Sequence, residues 1–94
     1  MRAMELLTIL SVDFQHDVVQ DIKVELQNKI APIGKVEQQE GCLVLMATDG
    51  NMKPLTTKEI VTTLMLNKSL QLVKKAEISE PIYGCRVVDR SLIL

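Results

Sequence analysis

Apolar residues follow two spacings along this chain, and each spacing predicts a different kind of element. The run Leu6–Val12 is short, aliphatic and partly β-branched, which favours a strand. The segment after it predicts a helix, because its apolar residues recur at helical spacing. These residues are Val18, Val19, Ile22, Leu26 and Ile30. Asp13 is the predicted N-cap and Pro32 ends the helix, while Val24 does not fit the apolar stripe.

A hairpin is predicted next. Lys35–Gln39 is a polar strand, and Cys42–Thr48 is a strand that is apolar on both faces. Glu40 and Gly41 between them form a tight turn, in which glycine is free to take a positive φ.

The second predicted helix has a clear start signal. Thr56 and Glu59 stand three residues apart, as in a capping box. The apolar stripe behind this cap consists of Ile60, Val61, Leu64 and Met65. Leu70–Ile78 follows as a strand that carries charged side chains.

The predicted order is strand, helix, strand, strand, helix, strand. This order is typical of a ferredoxin-like βαββαβ sandwich, an α+β fold with an antiparallel sheet of order 4-1-3-2 and two helices on one face. The two polar strands then fall at the edges, where their charges discourage unwanted strand pairing. We therefore predict a core over residues 1–78 and a C-terminal extension over 79–94, which covers the sheet or pairs with a partner subunit.

Two helices on one side leave the other face of such a sheet open. A strand that is apolar on both faces requires cover on both. The cover is expected from a partner subunit or from the C-terminal segment, so a homo-oligomer, a dimer or higher, is the expected state. The candidate interface residues are Leu7, Ile9, Leu43, Leu45, Tyr83 and Val87.

The amino-acid composition limits the kinds of partner that this chain is expected to bind. Apolar residues make up 47% of the 94 residues, yet only one Phe and one Tyr are present, so the core must be aliphatic. A net charge of −1 supplies no field that would attract nucleic acid. No apolar stretch approaches the roughly 20 residues that a membrane span needs. Two cysteines without a scaffold-like spacing are typical of free thiols in the cytoplasm.

Candidate chemistry is sparse. His16 lies between Asp13 and Asp17, where a base beside carboxylates can transfer protons. The same pattern is found at an ordinary helix start. Cys42 is a weak candidate nucleophile, because no CxxC partner accompanies it. The pattern predicts no cofactor and no metal site.

The leading hypothesis is therefore a small oligomeric module for ligand binding, regulation or assembly, without catalytic activity. The alternative is a small enzyme of the dimeric α+β-barrel type that acts on a small apolar molecule, with His16, Asp13 and Cys42 as candidate groups. A second copy of the chain is the expected partner, with a small apolar ligand as a further option. A role on nucleic acid ranks last.

Overall fold

The computed structural model describes the backbone of residues 1–15 and 19–94 and the side chains of residues 1–11 and 19–94. In these ranges the chain forms two helices and seven strands. The helices are α1 (Ala3–Gln15) and α2 (Thr57–Leu66). The strands are β1 (Asp21–Leu26), β2 (Lys29–Gln39), β3 (Cys42–Ala47), β4 (Gln71–Lys75), β5 (Ser79–Pro81), β6 (Arg86–Val88) and β7 (Ser91–Ile93).

The predicted ferredoxin-like sandwich is wrong. The seven strands form one mixed sheet in the order β5-β4-β3-β2-β1-β7-β6. Strands β3 and β4 are parallel neighbours, as are β1 and β7, and the remaining neighbours are antiparallel. The chain is an α+β protein, but neither the strand number nor the strand order matches the prediction.

The first error concerns residues 6–12, which belong to α1 and not to a strand. Ala3, Leu6 and Leu10 lie on one face of this helix and are at most 2% exposed. The backbone N–H of Arg2 donates to Glu5 Oε1 at 3.2 Å, which satisfies a free donor at the start of the helix. A short apolar run fits a buried strand and a buried helix equally well, and here the helix is formed.

The second error concerns the predicted helix from Val18 to Ile30, most of which is the β1–β2 hairpin. Ile22, Val24 and Leu26 are buried, and the residues between them are partly exposed. This alternation is the strand period, and it accounts for Val24, which the helical stripe left out. The predicted N-cap role of the Asp13 side chain lies outside the described residues.

Two predicted features are confirmed. Strands β2 and β3 pair through Gln39 and Cys42, and Glu40 and Gly41 both take positive φ in the turn between them. Thr56 is the N-cap of α2, where its Oγ1 accepts from the backbone N–H of Glu59 at 3.1 Å.

The sheet is curled into a half-barrel. Residues of β1 approach β4 although β2 and β3 lie between them in the sheet. Lys74 Nζ in β4 donates to the backbone carbonyl of Leu94 at 3.2 Å, across the same gap. The inner face of the half-barrel and the buried sides of both helices form one aliphatic core, which includes Leu6, Leu45 and Leu64.

The C-terminal segment is part of this sheet. β7 pairs with β1, and Leu92 and Leu94 are both buried in the core. The backbone of Leu94 continues the pairing, because its N–H donates to Lys23 and its carbonyl accepts from Glu25, both at 2.9 Å. The division of the chain at residue 78 stays a prediction.

Candidate functional site

A mainly apolar concave surface lies between the two helices. It is a groove of about 490 Å³ along the outer sides of α1 and α2, which we name the inter-helix groove. Its lining residues are Met4, Leu7, Thr8, Leu10, Ser11, Val61, Met65 and Lys68.

Helical spacing brings these side chains together. Met4 lies one helical turn before Leu7 and Thr8, and these lie one turn before Ser11, so the four residues share a face of α1 beside the buried face. Val61 and Met65 share a face of α2 in the same way. Next to its buried stripe, each helix therefore contributes two apolar side chains to the groove, and α1 adds the hydroxyl groups of Thr8 and Ser11.

Several large apolar side chains at this surface are open to solvent. Met4 is 52% exposed and Met65 is 57% exposed, although Met65 belongs to the predicted buried stripe of α2. Leu66, which follows Met65 at the end of α2, is 80% exposed. Isolated apolar side chains are normal on a protein surface, but a contiguous apolar group marks a binding surface.

The polar groups of the groove are mostly satisfied. Thr8 Oγ1 donates to the carbonyl of Met4 at 3.0 Å, and Ser11 Oγ donates to the carbonyl of Thr8 at 2.8 Å. Lys68 is the one charged residue among the groove-lining residues given above. The groove consequently presents a surface of low polarity, with a cation at one end.

The sheet face that points away from the helices, the outer face, has a different character. Glu37 on β2 receives a hydrogen bond from Lys35 Nζ at 2.6 Å and another from Gln39 at 2.7 Å, and these lower the pKa of its carboxyl group. Val44 of β3 is buried here beside its register partners Glu37 and Val73. One charged and one apolar neighbour within the sheet thus flank this apolar residue of β3.

A second ion pair joins β1 to β6. Arg86 Nη1 lies 2.9 Å from Glu25 Oε1. This hydrogen bond lowers the pKa of the Glu25 carboxyl group, which Lys74 also favours in its charged form, and raises the pKa of Arg86.

The predicted interface residues occupy three environments. Leu43 and Leu45 are buried in the core beneath the helices, and Ile9 is partly buried against that core. Leu7 lines the inter-helix groove. Tyr83, between β5 and β6, is 86% exposed, and Val87 of β6 is 41% exposed. The structure therefore does not bring these six residues together on one surface.

The candidate chemical groups are not assembled into a site within the described residues. His16 lies outside them, and so does the side chain of Asp13. Cys42 is partly buried at the start of β3, next to Gln39 and Lys75 on the outer face. Among the side chains that the structure describes, no group of three His, Cys, Asp or Glu residues is placed to hold a metal ion.

Sequence reasoning missed Met4, Met65 and Leu66 as surface residues. The signal for Leu66 was present, because a helix with Ile60 and Leu64 as its buried stripe has no room on that face for Leu66. Met65 was assigned to that stripe. Met4 gave no such signal, since its helix was not predicted.

Comparison with known proteins gives no match. The chain fits no protein-family model, and neither a curated protein nor a solved structure matches it. Neither of the two helices, over the residues that the structure describes, has the length and apolar character required to cross a bilayer.

Proposed function

We propose that this chain is a non-catalytic assembly module that forms a homodimer through the inter-helix groove. The observation that carries the proposal is the apolar part of the groove lining, in which Met4 and Met65 are more than half exposed beside Leu7 and Val61. Burial of such a surface is the main driving force of association.

The surface suits a second copy because it is self-complementary. A two-fold dimer brings the same patch of each subunit together, so one patch must supply both a hollow and a projection. In our proposal the inter-helix groove is the hollow, and Leu66, which follows the groove residue Met65 in the chain and is 80% exposed, supplies the projection. Two helix pairs that meet in this way form one four-helix layer.

The low charge of the groove and the flexibility of its methionines also support a second copy of the chain as the partner. Charged residues are depleted in the centre of an interface, and Lys68 is the one charge among the lining residues of the groove. Methionine is unbranched and adapts its shape to a neighbour, which favours Met4 and Met65 as contact residues. A cytoplasmic location belongs to this proposal, since two cysteines without a scaffold-like spacing are typical of a reducing compartment.

Sedimentation velocity at micromolar concentration tests the dimer. Leu66→Lys places a charge on the projecting residue and is expected to weaken dimerisation by about tenfold or more. Lysine suits the C-terminal end of a helix, so the variant should remain folded.

Tyr83→Lys is the matched control, because Tyr83 is similarly exposed but lies between β5 and β6 and belongs to neither helix. It should leave the dimer intact. A wild-type monomer would refute the proposal. A dimer that dissociates on Tyr83→Lys and survives Leu66→Lys would move the interface to the C-terminal segment.

A further inference from the structure

A second concave surface lies at one end of the half-barrel. At this end β1, β3 and β4 finish and β2 begins. Two adjoining hollows of about 570 and 190 Å³ share Lys29, Ala47, Thr48, Ala76 and Glu77. We name the combined hollow the mouth cleft. Its residues differ from those of the inter-helix groove, so it is independent of the proposed dimer.

The floor of the mouth cleft is apolar and made of short side chains. Ala31, Ala47 and Ala76 line it beside the buried Val24 and Leu26. The alanine side chains of β2 and β3, and of Ala76 in the bend after β4, fill little of the space between them. The result is a recess with apolar walls, and most small-molecule binding sites are recesses of this kind.

The rim carries charges of both signs. Lys29 and Lys75 supply two ammonium groups, and Asp49 and Glu77 supply two carboxylates. Within residues 1–11 and 19–94, none of these four side chains forms an ion pair within 4.0 Å. The backbone N–H of Asn51 donates to Asp49 Oδ1 at 2.9 Å, which holds this carboxylate in place at the rim.

We propose that the mouth cleft binds a free α-amino acid with an aliphatic side chain. Such a molecule carries one carboxylate, one ammonium group and one apolar group, and the cleft has a partner for each. Its carboxylate meets Lys29 and Lys75, its ammonium group meets Asp49 and Glu77, and its side chain lies on the alanine floor. A ligand with only a carboxylate would leave Asp49 and Glu77 without a partner. A ligand with only an ammonium group would leave Lys29 and Lys75 without one.

Three probes of similar apolar size separate these contributions. Leucine carries both charges, hexanoate only the carboxylate, and hexylamine only the ammonium group. In a ¹H–¹⁵N NMR titration, leucine should shift the backbone amides of Ala47, Thr48 and Ala76 until they saturate. Hexanoate and hexylamine should each bind about threefold more weakly or worse, as expected for the loss of exposed charge pairs.

Variants then locate the binding. Lys29→Gln should weaken leucine binding about threefold. The matched control Lys58→Gln, on α2 and outside the cleft lining, should leave it unchanged. Ala76→Leu should abolish binding by filling the recess from an exposed position, and its unfolding curve checks that the fold is kept.

Three results would overturn the proposal. One is the absence of saturable shifts with leucine. Another is hexanoate or hexylamine binding as tightly as leucine, which would reduce the cleft to a single charged subsite or an unspecific apolar surface. The third is unchanged leucine binding in Ala76→Leu, which would place the ligand elsewhere.

Discussion

The ion pair between Glu25 and Arg86 reaches across β7, which lies between their strands. Ile93 of β7 is on the same face, beside its register partners Lys23 and Arg86, and is only 3% exposed. A single charged pair therefore links three strands and shelters an apolar residue on the outer face. Its dependence on pH follows from the direction of the pKa shift.

Because folding lowers the pKa of Glu25, the pair contributes stability above the ordinary pKa of a glutamate, about 4.3, and this contribution is lost as pH falls through the lower folded value. The stability difference between wild type and Glu25→Gln should accordingly be largest near neutral pH and shrink in acid. Urea unfolding at a series of pH values measures it. Arg86→Gln removes the other partner, so its stability should also depend less on acid pH than that of the wild type. A stability difference between wild type and Glu25→Gln that is the same at all pH values would contradict the role of the ion pair.

At the scale of the element, the start of α2 depends on one side chain. Thr56 Oγ1 accepts from the N–H of Glu59, a donor that the helix itself leaves without a partner. Thr56→Ala should lower the free energy of unfolding by about 1 kcal/mol. Thermal or urea unfolding gives the value.

Thr62→Ala is the matched control within the same helix. Thr62 is exposed, and its Oγ1 donates to the carbonyl of Lys58, which is a weak contact within the helix. Alanine has the higher helix propensity, so this change should be neutral or stabilise slightly. Equal losses from the two variants would show that Thr56 does not act as a cap.

The two helices also show how far local pattern determines an element. The α2 cap and the β2–β3 turn were predictable because each rests on a few neighbouring residues with a specific backbone requirement. Leu6–Val12 had no such punctuation, and its apolar run suits either element. Val24 held the missing information, because a buried residue outside a helical stripe favours the strand alternation of β1.

At the scale of the whole molecule, the errors in α1 and β1 changed the topology. The predicted sheet placed its first strand between the strands that are now β3 and β4. Since residues 6–12 form a helix, those two strands pair directly. The free edge of β1 then pairs with the C-terminal strand β7, a contact between distant residues that no local pattern encodes. The apolar excess was evident in the sequence, but its exposed part is divided between the helix pair, at Met4, Met65 and Leu66, and the strands with their connections.

The role of β7 can be tested without reference to any partner. Leu92 is fully buried in the core, whereas Val87 on the neighbouring β6 is 41% exposed. Leu92→Ala should cost about 2–4 kcal/mol of unfolding free energy through lost burial and a cavity. Val87→Ala removes less buried surface and should cost less than about 1 kcal/mol.

The background for this test matters, because dimerisation raises apparent stability with the logarithm of protein concentration. We expect the Leu66→Lys chain to be monomeric, and both alanine variants belong in that background. Their unfolding midpoints should then not change with protein concentration, since β7 pairs with β1 of its own chain. Midpoints that rise with concentration would mean that β7 is exchanged between subunits. Equal costs for Leu92→Ala and Val87→Ala would mean that the C-terminal segment is attached to the core only loosely.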